Sequence, residues 1–437
     1  MDTEGNRTIK NSDALAVTPA RTSLLSIAEA GYQAIRTATV IRRAVELSGD
    51  ILTIQGTPYT LNEYTHLYVL AVGKSSNDAA HELELILGDR ISDGVALDVC
   101  ATSGLKTIRA YAGTHPYPSA ENAAYTRHLL DLAERANEHD LVLAVVSGGG
   151  SSLLCQPLTH TCMDEAGLVK RLFKGGATIQ ELNTVRKHLS KARGGYLAVA
   201  AHPAQLVTLL FSDVPGNDLH TIASGPTVKD NTTRADARAV LEKYHSEKIG
   251  FSPEHLIETP KDPAVFAKTR NELVLTNETA LEAMRDRGQE LGYTVLIRDT
   301  ELVGEARDVG AMIVAELRTS KPRTVLLYGG ETTVTITGPG KGGRNEELAL
   351  GALTTLADDE LVTSLASDGR DNTDYAGGIA DAETRTRAAA QGFKPEDFLY
   401  TNDSFTFFHT LQQGVETGYT GSNVADLMIG IKHGDTK

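Results

Sequence analysis

The chain has 437 residues, of which 41% are hydrophobic and 23% are charged, the composition of an ordinary soluble globular protein with two or three domains. Acidic residues outnumber basic residues by 57 to 42, and the net charge of −15 excludes nucleic acid as a partner. No apolar run approaches the roughly 20 residues that span a bilayer, so we expect no membrane segment. An anionic substrate would need positive charge concentrated at one place.

The N-terminal stretch and the cysteines bear on the compartment. The N-terminal stretch is polar and has no apolar core of a secretory signal, which favours a cytoplasmic protein. The three cysteines, Cys100, Cys155 and Cys162, have no metal-ligand spacing. We therefore expect free thiols, as in a reducing compartment.

Short continuous apolar runs recur along the chain, and most of them end in a small or polar loop. Strands of this kind are buried on both faces, which is typical of a parallel sheet between helices. The pattern predicts an α/β protein with more than one such sheet. The runs cover residues 66–73, 141–146, 206–211, 273–275, 294–297, 324–328 and 361–365.

Three segments depart from this rhythm. Residues 22–47 have the apolar spacing of one long amphipathic helix. Residues 227–262 are charged and lack a strand pattern, so we place the linker there and divide the chain into domains 1–262 and 263–437. Residues 331–337 alternate between apolar and polar side chains, which predicts a half-exposed antiparallel strand at the edge of an otherwise parallel C-terminal sheet.

Ligands of parallel α/β sheets bind beyond the carboxyl ends of the strands, so the loops there are the candidate sites. Lys74 follows the first apolar run and opens a helix, where backbone amides and the ammonium group both favour an anion. The loop is not a Walker A motif, because Tyr68 stands where that motif requires glycine. The alternative is a tight turn with a solvated lysine.

A glycine-rich loop follows the second apolar run. It consists of Ser147, Gly148, Gly149, Gly150 and Ser151. Three successive glycines allow the backbone to approach a ligand closely, and the serines add hydroxyl groups. We expect this loop to cradle a phosphate or a carboxylate.

The segment 182–190 predicts a helix with one basic face. Asn183, Arg186 and Lys187 fall on that face at spacings of three and four residues. In an acidic protein such a face is a candidate anion site. The alternative is an ordinary solvated helix surface.

Acidic loops follow two further apolar runs. Asp213 and Asp218 lie in a Gly/Pro loop after the third run, and Asp368 lies in a turn-rich loop after the last. Carboxylates near a phosphate can hold Mg²⁺ or accept a proton. The alternative for the first loop is an Asx-turn, and the second loop lacks the glycine and glutamate of a calcium-binding loop.

Residues 338–343 match the spelling G-x-G-x-x-G of a dinucleotide-binding turn. The segment before them alternates and does not have the pattern of a buried strand, so the match is a weak one. We interpret these residues as a phosphate-approaching loop with Lys341 and Arg344 as cations.

Taken in order, these segments resemble the glycerate kinases of the glycerate 2-kinase type, whose second domain is known as MOFRL. The resemblance extends over nearly the whole chain. Two stretches, 370–374 and 418–423, depart from the family pattern, in which Gly-Pro-Thr sequences are common at these places. The matching motifs are residues 71–75, 113–116, 147–151, 182–190, 212–218, 224–226, 329–333, 343–347, 367–369, 402–404 and 420–423.

The resemblance implies an N-terminal Rossmann-like α/β/α domain and a smaller α/β C-terminal (MOFRL) domain, with the active site in the cleft between them. It implies ATP-dependent phosphorylation of D-glycerate at its 2-hydroxyl group, with Mg²⁺, to give 2-phosphoglycerate. It also implies that Lys74 and Arg344 are central to catalysis. D-glycerate and ATP are then the partners, and a homodimer is one assembly to consider.

Other residues of the motifs are expected at the same site. We expect Glu331, Asn345 and Asn423 to contact substrate or nucleotide. Asp213 and Asp368 are both candidates for holding the metal or orienting the hydroxyl group, and the sequence does not choose between them. The main alternative is an NAD(P)H-dependent hydroxypyruvate reductase, and a third interpretation is a non-catalytic sensor of sugar acids or phosphate.

Overall fold

The structure, a computed structural model, describes residues 7–245 and 251–434. The chain divides into two compact units, which we call the N-terminal unit and the C-terminal unit. The N-terminal unit is Thr37–Leu275, and the C-terminal unit combines the stretch that ends at Arg36 with the stretch that begins at Thr276. The C-terminal unit is therefore built from two separate parts of the chain.

The stretch before the N-terminal unit contains two helices, α1 (Ser12–Leu15) and α2 (Pro19–Ala34). The prediction of one continuous helix over residues 22–47 is wrong, because α2 ends and a second helix, α3 (Thr37–Ala44), begins in the other unit. The apolar spacing is nearly continuous across this break, and a sequence pattern does not register that the two helices pack on different partners.

The N-terminal unit contains one large sheet, a small antiparallel sheet and the helices that cover them. Its helices are α3, α4 (Ser76–Leu87), α5 (Ala120–Glu134), α6 (Gly150–Leu153), α7 (Cys162–Lys174), α8 (Ile179–Lys187), α9 (Tyr196–Ala201) and α10 (Arg234–Lys243). Its strands are β1 (Val45–Ser48), β2 (Ile51–Ile54), β3 (Thr57–Thr60), β4 (Leu67–Val72), β5 (Asp93–Asp98), β6 (Ile108–Ala112), β7 (Leu141–Val146), β8 (Gln205–Phe211) and β9 (Thr269–Leu275).

The large sheet is entirely parallel and has the strand order β6-β5-β4-β7-β8-β9. Every residue of β4 and β7 is buried, as their uninterrupted apolar runs predict. Counted within this sheet, the order is 3-2-1-4-5-6, which is the Rossmann order. The strand order reverses between β4 and β7, and the crevice beyond their carboxyl ends is where such sheets bind ligands.

The predicted linker, residues 227–262, lies within the N-terminal unit, apart from residues 246–250, which are outside the described residues. It contains α10, and Leu241 and Leu256 are buried against residues of α7 and α8 such as Leu172 and Val185. The chain passes from one unit to the other twice, at 36/37 and at 275/276. The boundary predicted from the sequence is at 262/263.

The C-terminal unit has a six-stranded sheet of order β10-β11-β15-β12-β13-β14. Only the β10–β11 pair is parallel, so the expectation of a mostly parallel C-terminal sheet is wrong. Burial along both faces of β12 does not report the direction of its neighbours. The strands are β10 (Thr294–Leu302), β11 (Thr324–Gly330), β12 (Glu360–Leu365), β13 (Gly377–Ala380), β14 (Gly414–Val415) and β15 (Asp426–Lys432). The helices after Leu275 are α11 (Asn277–Glu290), α12 (Ala306–Thr319), α13 (Arg344–Leu353), α14 (Ala382–Ala390), α15 (Pro395–Thr401) and α16 (Ser404–Leu411).

Residues 331–337 do not form the predicted strand, apart from a single bridge between Thr333 and Glu305. Their backbone donors bond to side chains instead of a neighbouring strand. The N–H of Thr335 donates to the Glu305 carboxylate over 3.0 Å, and that of Thr337 donates to Asn402 Oδ1 over 2.7 Å. Alternation alone does not show whether a partner strand is present.

The cysteines differ from expectation. Cys155 and Cys162 form a disulfide, so the prediction of free thiols is wrong for these two, and only Cys100 is free among the described residues. The loop after α6 returns to the first residue of α7 and brings the two Cα atoms to 6.1 Å, within reach of a disulfide. Within the described ranges, no helix has the length and apolar character to cross a membrane.

Candidate functional site

Two loops contact each other beyond the carboxyl ends of β4 and β7, where the strand order of the large sheet reverses. The N–H of Lys74, after β4, donates to the carbonyl of Gly148, after β7, over 2.9 Å. The N–H of Ser75 donates to Ser147 Oγ over 3.2 Å. A Cβ atom on Gly73, whose φ is +123°, would lie 2.1 Å from Ser147 Oγ. The fold therefore brings the predicted lysine loop and the predicted glycine loop together.

The start of α4 has fewer hydrogen-bond donors available for an anion than the sequence predicts. The N–H of Asn77 donates to Asp98 Oδ2 over 3.0 Å, and Ser76 Oγ donates to the same oxygen over 3.2 Å. These donors and the N–H of Lys74 already have acceptors within the protein. The positive charge at this place comes from the half-buried ammonium group of Lys74, which has no acidic partner among the described residues.

The glycine loop keeps backbone donors available. Within the described ranges, no protein acceptor is bonded to the N–H of Gly148 or Gly149. A Cβ atom on Gly149, whose φ is +84°, would lie 3.1 Å from Lys74 Cγ, and one on Gly148 would lie 2.1 Å from Asp213 Oδ2. Lys74 and Asp213 thus flank two open amides, and any side chain on the loop would displace them.

A hydroxyl chain supports the same loop. Ser151 Oγ and Ser224 Oγ are 2.9 Å apart, and Ser224 Oγ donates to Asn183 Oδ1 over 2.9 Å. Ala223 and Ser224 have φ values of +49° and +60°, which is strained backbone for residues other than glycine. A Cβ atom on Gly150 would lie 2.6 Å from Ala223 Cβ. Asn183 is therefore connected to the loop through Ser224.

Neighbouring cations on α8 have different surroundings. Lys187 Nζ lies 3.1 Å from Asp230 Oδ1, and the two side chains are 6% and 1% exposed. The guanidinium group of Arg186 donates to no side chain or carbonyl among the described residues. Burial and the charge of Arg193 lower the pKa of Arg186 to about 10. Lys187 is held inside the unit by an ion pair, whereas Arg186 has the charge of Glu165 nearby but forms no ion pair among the described residues.

His115 lies beside these cations, and sequence reasoning missed it as a site residue. A Cβ atom on Gly149 would lie 3.3 Å from His115 Cδ2. Burial, followed by the charges of Lys74 and Arg186, lowers the pKa of His115 to about 4, so the imidazole is neutral at neutral pH. Its motif, residues 113–116, belongs to the family resemblance but has no spacing typical of catalysis.

Asp218 faces its own turn. Its Oδ1 accepts from the N–H of His220 over 3.0 Å, and its Oδ2 accepts from Thr221 Oγ1 over 2.8 Å. Burial raises its pKa, but these bonds outweigh burial and the pKa is lowered overall. This geometry matches the Asx-turn alternative, and a ligand contact of Asp218 stays a prediction.

The C-terminal unit contains a separate cavity of about 540 Å³. It lies where α13 begins and where β12 and β15 meet their adjoining loops. Its wall brings together several residues predicted from the sequence, and adds Asp371 and Asp426. The polar residues that matter here are Arg344, Asn345, Asp368, Asp371, Asn423 and Asp426.

Arg344 is fully engaged with carboxylates. Its Nε and Nη2 donate to the two oxygens of Asp426, and its Nη1 and Nη2 lie 3.3 and 3.2 Å from the oxygens of Glu331. Burial lowers the pKa of Arg344, but the charges of Asp426 and Glu331 outweigh burial and raise it. Burial raises the pKa of Asp426 to about 7, in spite of the arginine.

Buried acids support the start of α13. Asn345 Nδ2 donates to Asp371 Oδ1 over 3.1 Å, and the N–H of Glu346 donates to Asp371 Oδ2 over 2.7 Å. Burial, together with the charge of Asp371, raises the pKa of Glu346 to about 9. Asn345 is therefore oriented by Asp371, a buried aspartate of the same turn-rich loop as Asp368.

The two aspartates predicted to hold the metal belong to different units, Asp213 to the N-terminal and Asp368 to the C-terminal unit. Asp368 is half-buried on the cavity wall, and its Oδ1 accepts from the N–H of Arg370 over 3.0 Å. No group of three or more metal-ligating side chains occurs among the described residues.

The glycines of the loop 338–343 are required by packing. A Cβ atom on Gly340 would lie 2.5 Å from the carbonyl oxygen of Thr401, and one on Gly343 would lie 2.1 Å from that of Asp371. No strand immediately precedes the loop. It therefore lacks the strand–turn–helix context of a dinucleotide-binding turn.

Comparison with known proteins covers both units. A domain of unknown function, DUF4147, matches residues 23–256, and the MOFRL family matches residues 324–426. Glycerate 2-kinase of Pyrococcus horikoshii is 37% identical, over 90% of this chain and 92% of that protein. D-glycerate 2-kinase of Thermotoga maritima is 36% identical, over 90% of this chain and 96% of that protein.

A solved structure agrees with these sequence matches. The crystal structure of a glycerate kinase from Thermotoga maritima matches with a TM-score of 0.85 and 33% identity, covering 94% of this chain and 99% of that chain. The resemblance inferred from the motifs is confirmed, and the chain belongs to the glycerate 2-kinase family.

Proposed function

We propose that this protein is an ATP-dependent glycerate 2-kinase, which transfers the γ-phosphoryl group of ATP to the 2-hydroxyl group of D-glycerate and releases 2-phosphoglycerate and ADP. The observation that carries the proposal is the half-buried Lys74, without an acidic partner among the described residues, against the open amides of Gly148 and Gly149. In a chain of net charge −15, this arrangement favours a phosphate.

We assign the phosphates of ATP to the N-terminal unit. Phosphoryl transfer requires positioning and charge stabilisation more than covalent chemistry from the protein. Lys74 and Arg186 supply positive charge, and the neutral imidazole of His115 supplies a hydrogen-bonding group beside them. Because the imidazole stays neutral, it adds no charge that would change between pH 6 and pH 8.

We assign the hydroxy acid to the cavity of the C-terminal unit. Arg344 can bind a carboxylate through two parallel hydrogen bonds, and Asp368 lies on the wall of the same cavity. A hydroxy acid held on Arg344 would present its hydroxyl group inside this cavity. We therefore give Asp368 the role of accepting the hydroxyl proton, as a general base does.

Asp213 is the residue that fits a magnesium ion. In kinases Mg²⁺ is bound by one or two carboxylates together with substrate phosphates, so a cluster of three acids is not required. The carboxylate of Asp213 lies against Gly148, next to the proposed phosphate position. A bound Mg²⁺ would neutralise phosphate charge there.

The test is a product assay. We expect ADP release from ATP only when D-glycerate and Mg²⁺ are both present, with 2-phosphoglycerate as the product. The measurement should separate 2-phosphoglycerate from 3-phosphoglycerate and compare D-glycerate with L-glycerate. Turnover that continues in excess chelator would remove the metal from the mechanism, and 3-phosphoglycerate as the product would contradict the assigned position of transfer.

The alternative activity, NAD(P)H-dependent reduction of hydroxypyruvate, has less support. It would require a dinucleotide-binding turn, and the loop 338–343 that offers the spelling has glycines that pack against Thr401 and Asp371 and follows no strand directly. Oxidation of NADH or NADPH by hydroxypyruvate is the direct assay. Steady oxidation without ATP would favour the reductase over the kinase.

A further inference from the structure

Arg344 holds two carboxylates that differ in accessibility. The side chain of Asp426 is 2% exposed, whereas that of Glu331 is 41% exposed and that of Arg344 is 35% exposed. The guanidinium group therefore has one partner in the protein interior and one at the solvent side. Asp426 also lines the cavity, but its carboxylate is buried, so Glu331 is the partner that can turn to solvent and leave Arg344 to a ligand.

The backbone explains why the inner partner is fixed. Asp426 is the first residue of β15 and lies opposite Gly330, the last residue of β11. Glu331 follows directly, where the chain leaves the sheet and forms only the single bridge at Thr333. Moving Asp426 would break sheet pairing, whereas moving Glu331 needs rotation of an exposed side chain.

The chemistry of exchange is balanced. Glu331 and the hydroxy acid both present a carboxylate, and a guanidinium group binds either through parallel hydrogen bonds. Replacing one by the other leaves no donor of Arg344 without an acceptor, and the displaced Glu331 carboxylate turns to solvent. A neutral ligand would lack this compensation.

We infer that Glu331 is a built-in competitor whose carboxylate occupies, on Arg344, the position that the carboxylate of the substrate takes, while Asp426 remains as the positioning residue. The inference rests on the proposed function, since it uses a hydroxy acid as the ligand of Arg344. It gives Glu331 a role different from a direct substrate contact: it selects for anionic ligands and sets their affinity.

The experiment is a double-mutant cycle on Glu331 and Arg344, read by calorimetric binding of D-glycerate without ATP. We expect Glu331→Gln to tighten binding by up to about fivefold, the size of a partly exposed ion pair. In an Arg344→Ala background the same substitution should change nothing. Binding of the uncharged analogue D-glyceramide should be unaffected by Glu331→Gln, because it cannot replace a carboxylate.

Two results would overturn the inference. Weaker binding of D-glycerate to Glu331→Gln would make Glu331 a substrate contact, and equal tightening in the Arg344→Ala background would reduce the effect to a general change of charge. Glu290→Gln, at an exposed ion pair with Arg287 in the same unit, is the matched control for net charge. If wild-type protein binds D-glycerate but does not phosphorylate it, the proposed function fails while the exchange can still be measured.

The role of Asp426 has its own test. With Asp426→Asn, Glu331 is the remaining carboxylate bonded to Arg344 among the described residues, so we expect D-glycerate binding to weaken by about 30-fold or more, as for a buried charge pair that loses one member. Adding Glu331→Gln should restore part of the affinity. Unchanged binding by folded Asp426→Asn protein would show that Asp426 does not position the guanidinium group.

Discussion

The candidate cations of the two units differ in whether they form ion pairs with acidic side chains. Lys74 and Arg186 have no acidic partner among the described residues, and Lys74 lies against open backbone amides. Arg344 has two carboxylates of its own, one buried and one exposed. The first arrangement gains energy from any suitable anion, whereas the second must exchange one anion for another.

Under the proposed function, this difference would make the two sites select their ligands in different ways. An open cationic site in an acidic protein attracts polyanions strongly and discriminates little between them. A site that is already paired accepts only a ligand able to replace the partner at equal charge. We therefore expect tight, salt-dependent phosphate binding in one unit and weaker but more selective carboxylate binding in the other.

The largest expected effect comes from removing the open lysine. Lys74→Ala should lower kcat by about 10²–10⁴-fold, because a preorganised cation stabilises transferred phosphate charge in the transition state. The Tm should change little, since no ion pair of Lys74 occurs in the part of the chain that the structure describes. Steady-state ATP turnover and a thermal melt measure both quantities.

Lys268→Ala is the matched control for Lys74→Ala, because Lys268 is an exposed lysine of the same unit. It should retain wild-type turnover. Near-normal turnover by folded Lys74→Ala protein would identify Lys74 as a solvated turn residue and remove the contrast between the units.

The second effect concerns the paired arginine. Arg344→Lys keeps the charge but cannot bond Asp426 and a ligand carboxylate through parallel donors, so kcat/KM should fall by about 100-fold or more. Far-UV circular dichroism should be unchanged. Activity within a few-fold of wild type would show that charge alone is needed at this position.

The third effect separates two neighbours on one helix. Arg186→Ala should lower kcat/KM for ATP by about tenfold or more with little change in Tm, since its guanidinium group donates to no acceptor among the described residues. Lys187→Ala should lower the free energy of unfolding by about 3 kcal/mol, because it removes the nearer and more buried of the two lysines at the buried Asp230 carboxylate and leaves Lys261 at 3.9 Å. The reverse pattern would exchange the roles assigned to the two residues.

The smallest effect is a pH dependence of stability. The pKa of Asp426 is about 7 in the folded protein and about 3.9 in an unfolded chain, so between these pH values the folded state binds more protons. Its stability contribution therefore falls as the pH rises from about 4 to 7. The Tm of wild type minus that of Asp426→Asn should decrease over this range. A constant difference would contradict the buried, raised carboxyl group.

Much of the N-terminal unit follows from local patterns. The buried strands β4 and β7 and the loops after them are read directly from uninterrupted apolar runs that end in glycine and serine. Whether a charged side chain forms an ion pair, however, depends on residues far away in the sequence. Nothing near Lys187 marks Asp230, which is 43 residues away, and nothing near Arg344 marks Asp426, which is 82 residues away. The mostly antiparallel pairing of the C-terminal sheet was missed for a related reason, since burial carries no information on strand direction.

The split construction of the C-terminal unit has a consequence for how the protein is made. The N-terminal unit is one uninterrupted stretch, so all of its strands leave the ribosome before the other unit is complete. Helix α2 is synthesised early, yet it packs on α11, which emerges some 250 residues later. Until α11 has been synthesised, the apolar face of α2 has no α11 to pack against. A fragment that begins after residue 275 would lack that helix, and a circular permutant that joins α2 directly to the later stretch would make the unit contiguous.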